Sequence, residues 1–298
     1  MARDLTKGSI PKHIFALAIP AVLSMFAIVA NNFIDTALVG HLGDSELAAV
    51  GSAGFVIWII FSLMDIFAVG TVAIISRDYG AGDLKKASER SQQIFSFAIF
   101  FSIVLAVLGI AFSDDILRLL GLAPEVEKMG SVYLMIVFMA VPALFLAEVI
   151  SAVFRSVGDT RTPMIIMLIA VGLNIVLDIL LIYGLWIFPR LETMGAALAT
   201  AIAHTIGGLF ALYFVKRGKL PFKIIPSKIL PVDFKVVGRM FKIGLPIATA
   251  NINFTLVYLV MTRIMAEFGT VAVATIPVGN RAESISYMTC FGFYMAVS

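Results

Sequence analysis

Four carboxylates stand inside long apolar runs of this 298-residue sequence: Asp35, Asp65, Glu148 and Asp178. A charge at the centre of a membrane helix costs about 2.5–3.5 kcal/mol on insertion scales, so each of them needs a reason to be there. Asn31 stands four residues before Asp35 and Asn174 four before Asp178, which puts an amide and a carboxylate on one stripe of each helix. Both aspartates come late in segments read as running outward. Thr200, early in a segment running inward, reaches the same depth, with His204 one turn deeper on the same face. Such a collection can couple to a cation in two ways. Carboxylates that approach in a low-dielectric cavity repel each other, which favours a proton held by the pair. Alternatively, the oxygens of Asp35, Asn174, Asp178 and Thr200 form a hard-oxygen cage for sodium.

Other polar residues are placed more loosely. Asn31, Asn32, His204, Glu148, Arg281 and Glu283 are assigned to a substrate path. Asp65 and Glu148 fall in the cytoplasmic half of their helices, where they either cap polar contacts or face an inward cavity. His204 is either a packing histidine or a proton relay, and Arg263 can snorkel to the interface. Pro20 removes a backbone hydrogen bond in the first helix, as Pro246 does in the seventh, and each permits a kink. Ion binding at Asp35 and Asp178 is therefore expected to bias the first helix between straight and bent forms. In GDTRTPM, Gly158 and Pro163 set the geometry of a short cytoplasmic turn that Arg161 holds inside.

The elements that must position these residues are transmembrane helices. Hydrophobic residues make up 60% of the chain and charged residues 14%, with a mean hydropathy of +1.02. Soluble proteins are roughly half apolar and a quarter charged, so the bilayer has to take up the excess. Eight spans are predicted, at about 13–40, 47–75, 92–112, 131–153, 164–184, 195–215, 243–266 and 272–298, giving an all-α polytopic membrane protein. Lys and Arg crowd one set of connections: Arg3, Lys7 and Lys12; Arg77, Lys85, Lys86 and Arg90; Arg155 and Arg161; and eight basic residues from Lys216 to Lys242. The other set holds Arg118, Lys128 and Arg190. This asymmetry predicts a cytoplasmic N-terminus in a cell's inner membrane. The net charge of +3 thus reflects topology, and the basic residues meet lipid headgroups rather than nucleic acid. One cysteine, Cys290, excludes a disulfide framework, and His13, His41 and His204 are too scattered for structural zinc.

The Pro- and Lys-rich stretch 216–242 separates six spans from two and reads as a cytoplasmic inter-lobe linker. An offset of 226 residues aligns Phe15 with Phe241, Pro20 with Pro246, Thr36 with Thr262, Gly43 with Gly269 and Ala48 with Ala274. That is a parallel repeat. The expected organisation is a six-helix N-lobe at 1–215, the linker, and the first two helices of a C-lobe at 243–298. The chain is expected to be either a fragment of a longer protein or the product of a truncated gene, and the fragment reading is favoured because a half-built second lobe leaves helix faces unpaired in lipid.

ALVGHLGDSELAAVG (37–51), AIISRDYGAGDLKKASE (73–89), FRSVGDTRTPM (154–164), LNIVLDILLIYG (173–184), GAALATAIA (195–203) and NRAESISYMTCFG (280–292) resemble the multidrug and toxic compound extrusion (MATE) family. The resemblance implies twelve helices in two six-helix lobes around a central cavity, and export driven by inward flux of protons or sodium. It points to the first-helix Asp35, the NxxxD of Asn174 and Asp178, and Thr200 as the first-lobe cation site of the archaeal, DinF-type branch. ANINFTLVYLVMTR lacks the mid-helix acid that other branches carry, and the RxES pattern places Arg281 and Glu283 beside the central cavity. The expected function is cation-coupled antiport of amphipathic organic cations or drugs, with no cofactor beyond the coupling ion and no obligate protein partner. A lipid-linked oligosaccharide flippase of the same superfamily is the alternative; it calls for a larger, more basic cavity. A major-facilitator transporter is only loosely echoed by RDYGAGDLKK. An enzyme is disfavoured, since no nucleophile–base pair or metal cluster stands out.

Overall fold

In lipid, every backbone N–H and C=O of a spanning segment needs a partner within the segment, so an apolar run of this length coils. The runs form eight helices: α1 (Ile10–Gly40), α2 (Asp44–Gly80), α3 (Leu84–Arg118), α4 (Pro124–Ser156), α5 (Arg161–Tyr183), α6 (Glu192–Lys216), α7 (Phe234–Ala266) and α8 (Thr270–Val297). The computed structural model describes residues 10–225 and 231–297, with side chains at 19, 20, 22–225 and 231–284. His13, Phe15 and Cys290 lie outside the described side chains. Among the described residues, seven helices, α1 to α7, are long and apolar enough to cross a membrane.

The helices overrun the predicted spans at their polar ends. α2 continues from Ala73 through SRDYG to Gly80, and α3 begins at Leu84, eight residues before its apolar run. With 37 residues, α2 is about 55 Å long at 1.5 Å per residue, well beyond a hydrocarbon slab of about 30 Å. Hydropathy marks only the part that lipid covers; the helix itself goes on where water can solvate its side chains. The linker is correspondingly shorter than 216–242, because α7 starts at Phe234, where the Asp233 carboxylate accepts from the Lys235 amide at 2.8 Å. Residues 219–225 form a non-helical strap with Leu220, Phe222 and Ile224 buried and their neighbours exposed. Ser88 donates to the Lys223 carbonyl, and the Ile225 amide donates to the Gln92 side chain at 2.8 Å, which docks the strap along the start of α3.

Helix boundaries recur at the 226-residue offset: α7 ends at Ala266 and α8 starts at Thr270, the counterparts of Gly40 and Asp44. Both turns use a glycine at positive φ, Gly43 at 155° and Gly269 at 96°. Thr36 and Thr262, also one offset apart, each donate to the carbonyl four residues back, at 2.7 and 2.8 Å. Gly51 and Pro277 are related by the same offset and touch, since a Cβ on Gly51 would lie 2.6 Å from the proline ring. Residues equivalent under a repeat and in contact lie on the axis that relates the units, here between α2 and α8. In GDTRTPM, Gly158 has φ 78° and Asp159 caps α5, accepting from the Arg161 and Thr162 amides at 3.0 Å.

Close approach holds the bundle together. A Cβ on Gly244 of α7 would sit 2.5 Å from the Cα and 2.6 Å from the carbonyl oxygen of Ile66 in α2, so the two backbones touch. Beside this contact, Phe67 packs against Phe97, Phe101, Phe145 and Phe241, joining α2, α3, α4 and α7 with ring centroids 5.2–6.1 Å apart. Gly244→Ala is expected to destabilise the purified protein by about 1–3 kcal/mol, seen as a lowered melting temperature in detergent. Gly238→Ala, on the same helix but facing open space, should leave it unchanged.

Candidate functional site

α5 buries one stripe: Thr162, Ile166, Ala170, Asn174, Asp178 and Leu181. At its two ends that stripe meets glycines of α6, Gly207 beside Ala170 and Gly195 against the Leu181 main chain. Asn174 and Asp178 lie between these contacts, 5% and 0% exposed. α6 approaches closely because its facing residues are small: Ala196, Ala197, Ala199 and Ala203 are all fully buried. α1 closes the third side. Asn31 donates to the Asn174 Oδ1 at 2.8 Å, and the Tyr183 hydroxyl donates to the Leu38 carbonyl at 2.9 Å.

The predicted cation residues converge. Asp35, Asn174 and Thr200 line one cavity of about 130 Å³, together with Asn31, Asn32 and His204, and Asp178 is enclosed behind it within reach of the Asp35 charge. This volume holds a few waters and is too small for a drug-sized ligand. Buried polar atoms without a hydrogen-bond partner gather on its residues and on Asp178 behind them: the acceptors Asp35 Oδ1, both oxygens of Asp178 and Asn31 Oδ1, against one donor, Asn174 Nδ2. A buried polar atom left unpaired costs about 1–3 kcal/mol, so this set of oxygens suits a bound proton, a sodium ion or water. Among the described residues, no three His, Cys, Asp or Glu side chains come together, which leaves amide and hydroxyl oxygens to complete any cation shell.

Other predicted residues separate. Arg281 lines the cavity from α8, but Glu283 does not; it accepts the hydroxyl of Tyr258 instead. Glu148 is also absent from the cavity wall. It is paired with Arg155 at 2.6 Å, near Asp65, which accepts from Asn251 of α7 at 2.9 Å. This second polar group lies toward the linker end of the bundle, where α2, α4 and α7 meet. Pro20 is buried within an α1 that stays helical throughout, and the Ser24 hydroxyl donates to its carbonyl at 2.9 Å.

Sequence reasoning missed Tyr133, Trp58 and Asn280, which complete the cavity wall. Tyr133, 5% exposed, shares the cavity wall with Thr200. A tyrosine at the start of an apolar span was the available signal, since a buried phenol needs a partner. Trp58 is part of an aromatic group with Phe55 and Tyr258, whose rings stack at 5.1 Å, and nothing in the spacing of these residues links α2 to α7. The Asn31–Asn174 bond is the side-chain link between α1 and α5 at the level of the site. Its removal in Asn31→Ala should cost about 1 kcal/mol and accelerate amide exchange roughly fivefold over residues 26–36, read by hydrogen–deuterium exchange, with α4 unaffected.

Residues 20–180 match the MatE family model, more than half of the chain. A probable multidrug resistance protein NorM of Thermotoga maritima is 28% identical over 99% of this chain and 64% of its own. Multidrug export protein MepA of Staphylococcus aureus is 30% identical over 96% of this chain and 62% of its own. Among solved structures, the MATE multidrug transporter DinF-BH superposes with a TM-score of 0.86 at 25% identity, over 97% of this chain and 64% of that one. A MOP superfamily transporter from Pyrococcus furiosus gives 0.84 at 25% identity, over 98% and 64%. The chain thus spans a little under two-thirds of the length of these relatives. It is a multi-pass membrane protein and not an enzyme, and it belongs to the MatE family.

Proposed function

We propose that this chain carries the ion-binding part of a secondary active exporter, in which a proton or sodium ion moving inward is exchanged for an amphipathic organic cation. The observation that carries the reading is the group of donorless oxygens on Asp35, Asp178 and Asn31, enclosed between α1 and α5 where α6 packs closely. Carboxylates in that state are stabilised by taking up a cation and destabilised by losing it, which is what an ion-coupled step requires. The site is one-sided: the counterparts of Asn31 and Asp35 one repeat later are Val257 and Met261. The names of NorM and MepA support drug export, and DinF-BH, itself described as a multidrug transporter, supports the same class of activity. The flippase reading has less support, because the cavity wall carries one arginine and one histidine against Asp35 and is not strongly basic.

In this reading residues 1–215 form an N-lobe, 216–242 bridge on the cytoplasmic side of a cell's inner membrane, and 243–298 open a second lobe. The Lys and Arg excess on the linker side supports that orientation. Ion binding shifts α1 about Pro20, and with it the exposure of Asp35. The test is efflux of a fluorescent organic cation from vesicles containing the protein as the cell makes it, under separately imposed proton and sodium gradients. Asp35→Asn and Asp178→Asn should each lower gradient-driven transport at least about tenfold, within the range of typical coupling energies. Full activity in both variants rejects the assignment.

A further inference from the structure

α8 follows the linker, yet it places a guanidinium inside the site built by α1, α5 and α6. Arg281 Nε donates to the Thr36 hydroxyl at 3.0 Å. Thr36 spends its own proton on the Asn32 carbonyl at 2.7 Å, so its oxygen is left to accept, and the direction of the bond is settled. Thr36 adjoins Asp35, and Arg281 is the positive charge facing that carboxylate. The remaining ionisable groups around it are Tyr133 on α4, Asp178 on α5 and His204 on α6, with Glu283 on its own helix engaged by Tyr258. A guanidinium stays protonated under all ordinary conditions. Its influence on the site therefore changes by displacement, of the side chain or of α8 relative to α1, and not by titration.

We propose that Arg281 is a tethered internal cation: docked on Thr36, it lowers the affinity of the Asp35–Asp178 pair for the coupling ion, and ion binding in turn loosens α8 from α1. The proposal rests on the reading of that pair as the ion site. Its physical basis is that two positive charges in one low-dielectric pocket weaken each other's binding, and that such a coupling is reciprocal by thermodynamic necessity. Arg281 thereby connects occupancy of a site within the first repeat unit to the position of the second.

Two measurements test it on the protein reconstituted in lipid. With every tryptophan except Trp58 replaced by phenylalanine, Trp186 among them, the fluorescence of Trp58 in the cavity wall reports titration with sodium at fixed pH and with protons at fixed sodium. With every native cysteine replaced by serine, Cys290 among them, spin labels at His41→Cys and Val271→Cys, exposed at the ends of α1 and α8, report their separation. Arg281→Gln is expected to tighten binding of the coupling ion about tenfold and to abolish the ion-dependent change in separation, whereas Arg281→Lys stays near the wild type. Thr36→Val, which removes the docking acceptor and keeps the charge, should tighten binding to a smaller degree and covers the case in which Arg281→Gln fails to fold. Unchanged or weaker ion binding in both variants overturns the proposal, and it is the result that a purely structural arginine predicts. A wild-type signal that is absent, or that persists in Asp35→Asn, instead removes the ion site itself and the tether with it.

Discussion

Inside lipid, helices gain nothing from hiding apolar surface from one another, so a bundle is held by how closely its backbones approach. In this protein the decisive approach is that of α5 and α6, made possible by Gly195, Gly207 and a run of buried alanines. Without it, Asn174 and Asp178 would face lipid or open space. With it, they are sealed on one stripe at a depth where α1 brings Asn31 and Asp35. The polar site is therefore a product of apolar packing.

The same device sets the relation between the two repeat units. Gly244 lets α7 lie on the main chain of Ile66, and Gly51 admits the ring of Pro277. These contacts flank α2, which is the common wall of both units. The Phe67 cluster thickens that wall toward the linker, beside the single Asp65–Asn251 bond, whereas toward the Gly43 turn the units meet through the polar contact of Arg281 on Thr36. Apolar, interlocking surfaces resist sliding, and a polar contact facing a cavity large enough for water can exchange with it at little cost. The linker end and the opposite end of the bundle thus differ in what a relative movement of the units would break.

Two polar groups within the spans divide the charged residues between them. Arg155 neutralises Glu148, and Asn251 serves Asp65, so that group is largely satisfied from within. The cavity group has acceptors in excess and draws its positive charge from another helix. An ionisable cluster that is complete by itself acts as a strut, and an incomplete one invites a ligand. This difference separates Glu148 from Asp35, although their burial in apolar sequence looks alike.

Much of this was legible in the sequence for a definite reason. Helix count, the 226-residue repeat and the pairing of Asn with Asp four residues on are periodic properties, and in lipid the period alone commits a segment to a helix. Membership of the cavity group by Asp35, Asn174 and Thr200 followed from depth along each helix, which sequence position measures directly. Rotation about the helix axis is what position does not measure. Whether Glu148 or Glu283 faces the cavity, that Tyr133 and Trp58 do, and that Arg281 reaches across to Thr36 depend on how neighbouring helices are turned and how closely they pack. Those were decided only by the tertiary structure, because they are set by the glycines and alanines of the partner helix and not by the residue itself.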